Sequence, residues 1–120
     1  MALVNLTAET FRSNTENGIV LIDFWAAWCG PCRMFAPVFE AAARRHADVT
    51  FAKVDTEAEP DLAGAFNIRS IPTVVVLRDG IPLGAFPGAL PANALDELIR
   101  EVRALDMDEV RREVASPATV

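Results

Sequence analysis

The chain's only two cysteines, Cys29 and Cys32, lie in the stretch "WAAWCGPCRMFAP", residues 25–37, separated by Gly30 and Pro31 and preceded by Trp28. Two thiols at this spacing can form a reversible disulfide, supply half of a metal site or sit inert in a core. A structural zinc ion takes about four Cys or His ligands, and beyond the pair the chain offers only His46. A metal would therefore need carboxylates or a second subunit to complete its shell. That alternative stays open, and no metal is expected within one chain. The inert reading leaves Trp28, Gly30 and Pro31 without a joint explanation.

A redox pair accounts for all of them. Proline has a fixed φ that suits the first turn of a helix, which places Cys29 in the N-cap region and Cys32 inside that turn. Unpaired backbone N–H groups and the helix dipole favour negative charge there and lower a thiol's pKa. Cys29 is thus the expected nucleophile, and Cys32, one turn in and more covered, the expected resolving thiol.

Two charged residues interrupt apolar runs nearby. Asp23 sits within "IVLIDFWAAW", where burial without a partner should raise its pKa. Lys53, the only lysine, sits within "FAKVD" and could reach the same pocket. The expectation is that Asp23 accepts and returns a proton for Cys32, directly or through one water, with Lys53 tuning it. A buried ion pair kept for specificity is the structural alternative. In "SIPTVVV", Pro72 enters a strand; if that loop faces Cys29, the backbone of Ile71 can pair with an extended substrate as an added strand does. Gly88 in "FPGAL" would leave room for a substrate chain, or is simply a turn glycine.

The elements that must position these residues follow from periodicity. "GIVLIDFWAAW", 18–28, reads as a central strand covered on both faces, with "VTFAKV" (49–54) and "TVVVL" (73–77) as further strands. Between the first two, Phe35, Val38, Phe39 and Ala42 recur at helical spacing across 32–47, so strand, helix and parallel strand succeed one another. Upstream, Leu3 to Leu6 suits an edge strand and Thr7 the N-cap of a short helix. Downstream, Asp79-Gly80 predicts a hairpin between 73–78 and 81–86, whose second strand is an edge because of Pro82 and Gly84. A helix starts near Pro91 with Leu95, Leu98, Ile99, Val102 and Leu105 as its stripe, a mostly charged helical turn or two follows over 106–114, and "ASPATV" frays.

The 120 residues, 52% hydrophobic, suffice for one domain without disulfide staples. A formal charge of −6 argues against nucleic acid as a ligand. No apolar run reaches the roughly 20 residues of a membrane span, and the N-terminus carries no basic stretch leading into an apolar one, so no membrane association and a cytoplasmic location are expected.

Taken in order, "DFWAAWCGPCRMFAP", "FAKVD", "IRSIPTVVVLRDG" and "PGAL" resemble the thioredoxin family, over residues 3–105. The resemblance implies an α/β thioredoxin fold, with a mixed five-stranded sheet in the order 1-3-2-4-5 flanked by helices on both faces. It further implies thiol–disulfide exchange on cytoplasmic protein substrates by a monomer with no bound cofactor, re-reduced by an NADPH-dependent flavoprotein reductase. By the same resemblance the Ile71–Pro72 bond is cis and Pro37 kinks the helix that begins at the cysteines. Asp23, Trp28, Lys53 and Gly88 fall on family positions, with Ile71, Pro72, Gly88 and Ala89 facing substrate. The chain departs from the family in Pro87, in having no tyrosine and in residues 106–120, which form an extension beyond a 1–105 domain. Two rival functions remain on this fold: a binding module with idle cysteines, and an oxidase or isomerase. Gly-Pro between the cysteines and the missing export signal favour reduction.

Overall fold

The apolar periodicities resolve into five strands and five helices among residues 3–115, the part of the chain that the computed structural model describes. In chain order they are β1 (Leu3–Asn5), α1 (Phe11–Thr15), β2 (Ile19–Trp25), α2 (Gly30–Arg45) and β3 (Thr50–Asp55), then α3 (Pro60–Ala65), β4 (Thr73–Arg78), β5 (Ile81–Pro87), α4 (Ala92–Arg103) and α5 (Met107–Ala115). One sheet holds all five strands in the order β1-β3-β2-β4-β5. β3 runs parallel to β1 and β2, while β4 is antiparallel to β2 and β5 to β4. This is the α/β class and strand order implied by the family resemblance.

β2 is central because nearly every residue in it is apolar and both faces are covered. Ile19 and Leu21 pack with Phe35 and Phe39 of α2 and Leu95 and Ile99 of α4. Val20, Ile22 and Phe24 pack on the opposite side with Leu6, Phe11 and Phe66. Side chains alternate along a strand, so Asp23 falls on the α2/α4 side. On that side Phe39 lies between Phe35 and Phe51, at ring-centroid distances of 5.7 and 5.1 Å, tilted and edge-on contacts of the kind aromatic rings prefer.

Asp79 and Gly80 join β4 to β5 with φ of +53° and +80°. Positive φ at both central residues is the I′ geometry that matches strand twist, and it explains the Asp-Gly pair. β5 is an edge strand, where Pro82 interrupts no central ladder, and its pairing with β4 shifts register between Val76 and Leu77 of β4.

Several boundaries differ from the sequence expectation. The N-cap of α1 is Thr10 and not Thr7; Thr7 instead donates its N–H to Thr10 Oγ1 at 3.0 Å and shapes the turn before the helix. Leu105 lies beyond α4 and is 40% exposed, because the helix closes at Ala104 before the stripe reaches it. α3 has no counterpart in the sequence pattern, since none of its residues is fully buried and its apolar stripe is short. Pro37 lies within α2 at an exposed position, and having no N–H it leaves the carbonyl one turn earlier without its helical donor. The expectation for "ASPATV" lies, apart from Ala115, outside the described residues.

α5 is held by the hairpin end of the sheet. Arg78 Nη1 donates to the carbonyls of Val102, Arg103 and Leu105 at 2.8, 3.4 and 3.3 Å, which closes α4 and leads the chain into α5. Arg111 then pairs with Asp79 at 3.2 Å, and Met107 is buried. Replacing Arg78 by Met leaves those carbonyls without this donor. The expected cost is about 1–3 kcal/mol, read as a lower Tm and faster hydrogen exchange over 104–115. The region around Cys29 and Cys32 should be unaffected, because Arg78 and its partners lie at the hairpin end of the sheet.

Candidate active site

Cys29 and Cys32 are joined as a disulfide, with their Cα atoms 5.2 Å apart. Cys29 is the N-cap of α2, in extended conformation at φ −87° and ψ 110°, and Gly30 and Pro31 begin the helix. The backbone N–H of Cys32 donates to Cys29 Sγ at 3.2 Å, and that of Arg33 to the Cys29 carbonyl at 3.1 Å. An N-cap sulfur that receives a backbone N–H at a positive helix end is stabilised as an anion, which lowers the thiol pKa once the disulfide opens.

Both cysteines are buried in the disulfide. Their exposures are 4% and 3%, so burial of the residue as a whole does not mark Cys32 as the more covered in the oxidised state. Their polar surroundings differ instead. Cys29 Sγ has the Cys32 N–H, and the Ile71 carbonyl 3.7 Å away, within reach of a thiol hydrogen in the reduced form. Cys32 Sγ has neither, and packs with Ala26 in a small cluster against which Trp25 and Ile71 lie.

His46, the third conceivable metal ligand, lies at the opposite end of α2, about 24 Å away along a 16-residue helix. It is engaged there: its Nε2 is 2.7 Å from Asp96 Oδ1 and its Nδ1 is 3.2 Å from Arg103 Nη2. Among the described residues no group of three His, Cys, Asp or Glu side chains is placed to hold a metal ion. No helix there is long and apolar enough to cross a membrane.

Asp23 is fully buried, and neither carboxylate oxygen has a hydrogen-bond partner. Burial pushes its pKa up to about 6, against a partly offsetting attraction from the Lys53 ammonium. Lys53 is its lateral partner in the parallel β2–β3 pair, so both side chains leave the sheet on one face. Among the described residues no ion pair within 4 Å includes Lys53. The ammonium acts on Asp23 through space, and the contact ion pair considered from the sequence does not form.

The loop before β4 completes the surroundings. The Ile71–Pro72 peptide is cis, and Ile71 packs against the cysteine cluster. The Gly88 N–H donates to the Pro72 carbonyl at 2.8 Å, drawing "PGAL" and its exposed Ala89 to the same edge. Gly88 has φ +96°, while a Cβ built on it would meet nothing within 4 Å. Glycine is therefore required there by backbone conformation and not by crowding. Trp28 is 67% exposed. It forms one wall of a groove of about 330 Å³ that also involves Thr56, Ile68, Arg69, Ser70 and Ile71.

Thr56, Ile68, Arg69 and Ser70 were not singled out in the sequence, where nothing ties them to Trp28 some 28 to 42 positions earlier. Trp25 and Arg33 likewise carry no signal in the sequence that ties them to the site. Arg33 Nη1 donates to the Ala27 carbonyl at 2.6 Å and so braces the loop ahead of Cys29.

A thioredoxin family model matches residues 2–101. The chain is 56% identical over 113 residues to a protein named putative thioredoxin 2 of Streptomyces coelicolor, an alignment covering 93% of this chain and 84% of that one. It is 41% identical over 102 residues to thioredoxin of Bacillus subtilis, covering 84% of this chain and 98% of the other. Against thioredoxin of Staphylococcus saprophyticus the identity is 40% over 102 residues, with the same coverage of 84% and 98%.

Proposed function

The chain belongs to the thioredoxin family of thiol–disulfide oxidoreductases, and from that premise we propose that Cys29 and Cys32 reduce disulfides of cytoplasmic proteins in two exchange steps. The observation that carries the reading is the placement of Cys29 Sγ at the start of α2 under the Cys32 N–H. In the reduced protein the Cys29 thiolate attacks one sulfur of a target disulfide. The target's S–S bond breaks, a mixed disulfide forms, and the first target sulfur leaves as a thiolate that takes a proton from solvent. Cys32 then loses its proton to the Asp23 carboxylate, directly or through one water, and attacks Cys29 Sγ. The second target sulfur leaves and is protonated, the Cys29–Cys32 disulfide closes, and two electrons have passed to the target. With a pKa of about 6, Asp23 is mostly ionised near neutrality, yet is a stronger base than an ordinary aspartate.

Ile71, Pro72, Gly88 and Ala89 are the proposed substrate-facing backbone, with Trp28, Gly30 and Pro31 forming the rim of the reactive loop. Residues 1–105 form the catalytic domain and 106–120 an accessory extension. Electrons return through an NADPH-dependent flavoprotein reductase, and the protein works as a monomer with no bound cofactor.

Direction is the part that a rival oxidase on this fold would reverse. Equilibrating the protein with glutathione buffers and trapping its thiols by alkylation measures the potential of the pair. The expected value lies below the cytosolic glutathione pool, near the strongly reducing end of the dithiol scale. A potential above that pool would assign the pair to oxidation and sink the reductase reading.

A further inference from the structure

The carboxylate of Asp23 is an orphan in the interior, and the nearest cation is not in contact with it. What holds that cation is visible one turn of the pleat further along β2. Trp25 lies two residues beyond Asp23, on the same face, and the Lys53 Nζ sits 4.9 Å from the centroid of its ring. That is within cation–π range, where the ring face attracts a cation. Trp25, Lys53, Asp55 and Glu59 contribute to one cleft of about 320 Å³.

The other carboxylates of the cleft are already engaged with backbone. Asp55 Oδ1 accepts the Glu57 N–H at 2.9 Å, and Glu59 Oε1 accepts the Ala8 N–H at 2.8 Å. Val74, the partner of Asp23 on β4, is apolar and brings no charge. Asn5, the partner of Lys53 on β1, is uncharged. Asp55 and Glu59 keep their charge and attract the ammonium from the cleft without an ion-pair contact, while the unpaired carboxylate of Asp23 attracts it from within and the face of the Trp25 indole lies against it.

We propose that Trp25 is a positioning residue for the active-site acid: its ring holds the Lys53 ammonium close enough to act on Asp23 through space and too far away to close an ion pair. The inference rests on the proposed proton-accepting role of Asp23 only for its meaning in turnover; its physical content is a separation between two side chains. A contact pair would give Asp23 a hydrogen-bonded cation, stabilise its charged form and make it a poorer base for Cys32. The held-off arrangement keeps it poised.

The test is an NMR titration of the Asp23 carboxyl carbon in the oxidised protein, where neither cysteine titrates. Trp25→Leu frees the ammonium, and the Asp23 midpoint should fall by about one pH unit. Trp25→Phe, which keeps a ring face and the fold's packing, should retain at least half of the wild-type elevation. In a Lys53→Met background, with no ammonium to hold, Trp25→Leu should move the midpoint by less than a third of that amount. An unchanged or raised midpoint in Trp25→Leu overturns the inference. So does an equal fall in both backgrounds, which would trace the effect to water entering the cavity. Failure of the wider functional reading looks different: the turnover–pH profile would ignore Asp23→Asn whatever the titration shows.

Discussion

Cys29→Ser is expected to lower the rate of insulin-disulfide reduction by on the order of 10⁴-fold or more, while Cys32→Ser should perform the first exchange once and stop. The asymmetry follows from the positions of the two sulfurs. A serine at residue 29 would still receive the Cys32 N–H, but its hydroxyl ionises far above neutrality and cannot attack a disulfide as an anion. In Cys32→Ser the Cys29 thiolate remains at the N-terminus of α2 and no second thiol is present to release the target. A mixed disulfide should therefore accumulate at one target per protein, visible by mass spectrometry under non-reducing conditions and dissolved by added dithiothreitol. If Cys32→Ser turned over at the wild-type rate, external thiols alone would resolve the intermediate and the two-step scheme would fail. If Cys29→Ser kept its activity, the reactive sulfur would have been assigned to the wrong residue. A Cys29→Ser, Cys32→Ser double variant that retained full cellular function would instead point to a binding module.

Asp23→Asn is expected to stabilise the fold and slow the reaction. In the folded protein the carboxyl titrates at about 6, compared with 3.8 for the unperturbed group. Below pH 3.8 it is neutral in both folded and unfolded chains and costs nothing. Between the two values the unfolded chain ionises freely while the folded one holds its proton, so the folded state binds more protons and loses stability as pH rises. Above about 6 the penalty is complete, with a magnitude of about 3 kcal/mol at 1.36 kcal/mol per pKa unit.

Asparagine keeps the shape and carries no charge at any pH, although its amide must still be buried there. Denaturant unfolding should show Asp23→Asn more stable by about 2–3 kcal/mol at pH 8, with the advantage fading towards pH 4. The rate of disulfide reduction should fall about 10-fold or more near neutrality and lose its titration near pH 6. Equal stabilities at pH 8 would mean that Asp23 is not held as a buried anion, and an unchanged pH–rate profile would remove it from the chemistry.

The residues that carry chemistry were legible because their signals are local. Pro31 one position before Cys32 announces a first helical turn whatever the rest of the chain does, and Asp79-Gly80 announces a tight turn. Apolar runs such as 19–25 announce burial, and an aspartate inside one announces a raised pKa. The misreadings share the opposite property. The groove beside Trp28 is built from Thr56, Ile68, Arg69 and Ser70, which are polar or weakly periodic and become neighbours of Trp28 only when the loop before β4 folds across it. α3 was missed because its stripe is too short for periodicity to rise above its surroundings. Leu105 kept the rhythm of α4 but not its conformation, because Arg78, from a distant strand, closes the helix before it.

By itself the sequence determined the identity of the reactive pair, the helix start beneath it, the alternation of strand and helix, and the presence of one acid and one base in otherwise apolar strands. Those follow from covalent order and short-range preference, which act over a few residues. Tertiary structure alone decided that Asp23 and Lys53 share a face without touching, and that the Trp25 ring lies under the ammonium. It also decided that the Gly88 N–H meets the Pro72 carbonyl and that Cys29 Sγ, at the helix start, receives the Cys32 N–H. Such relations are set by strand register and packing between segments far apart in the chain, where a shift of one residue would turn each side chain to the other face.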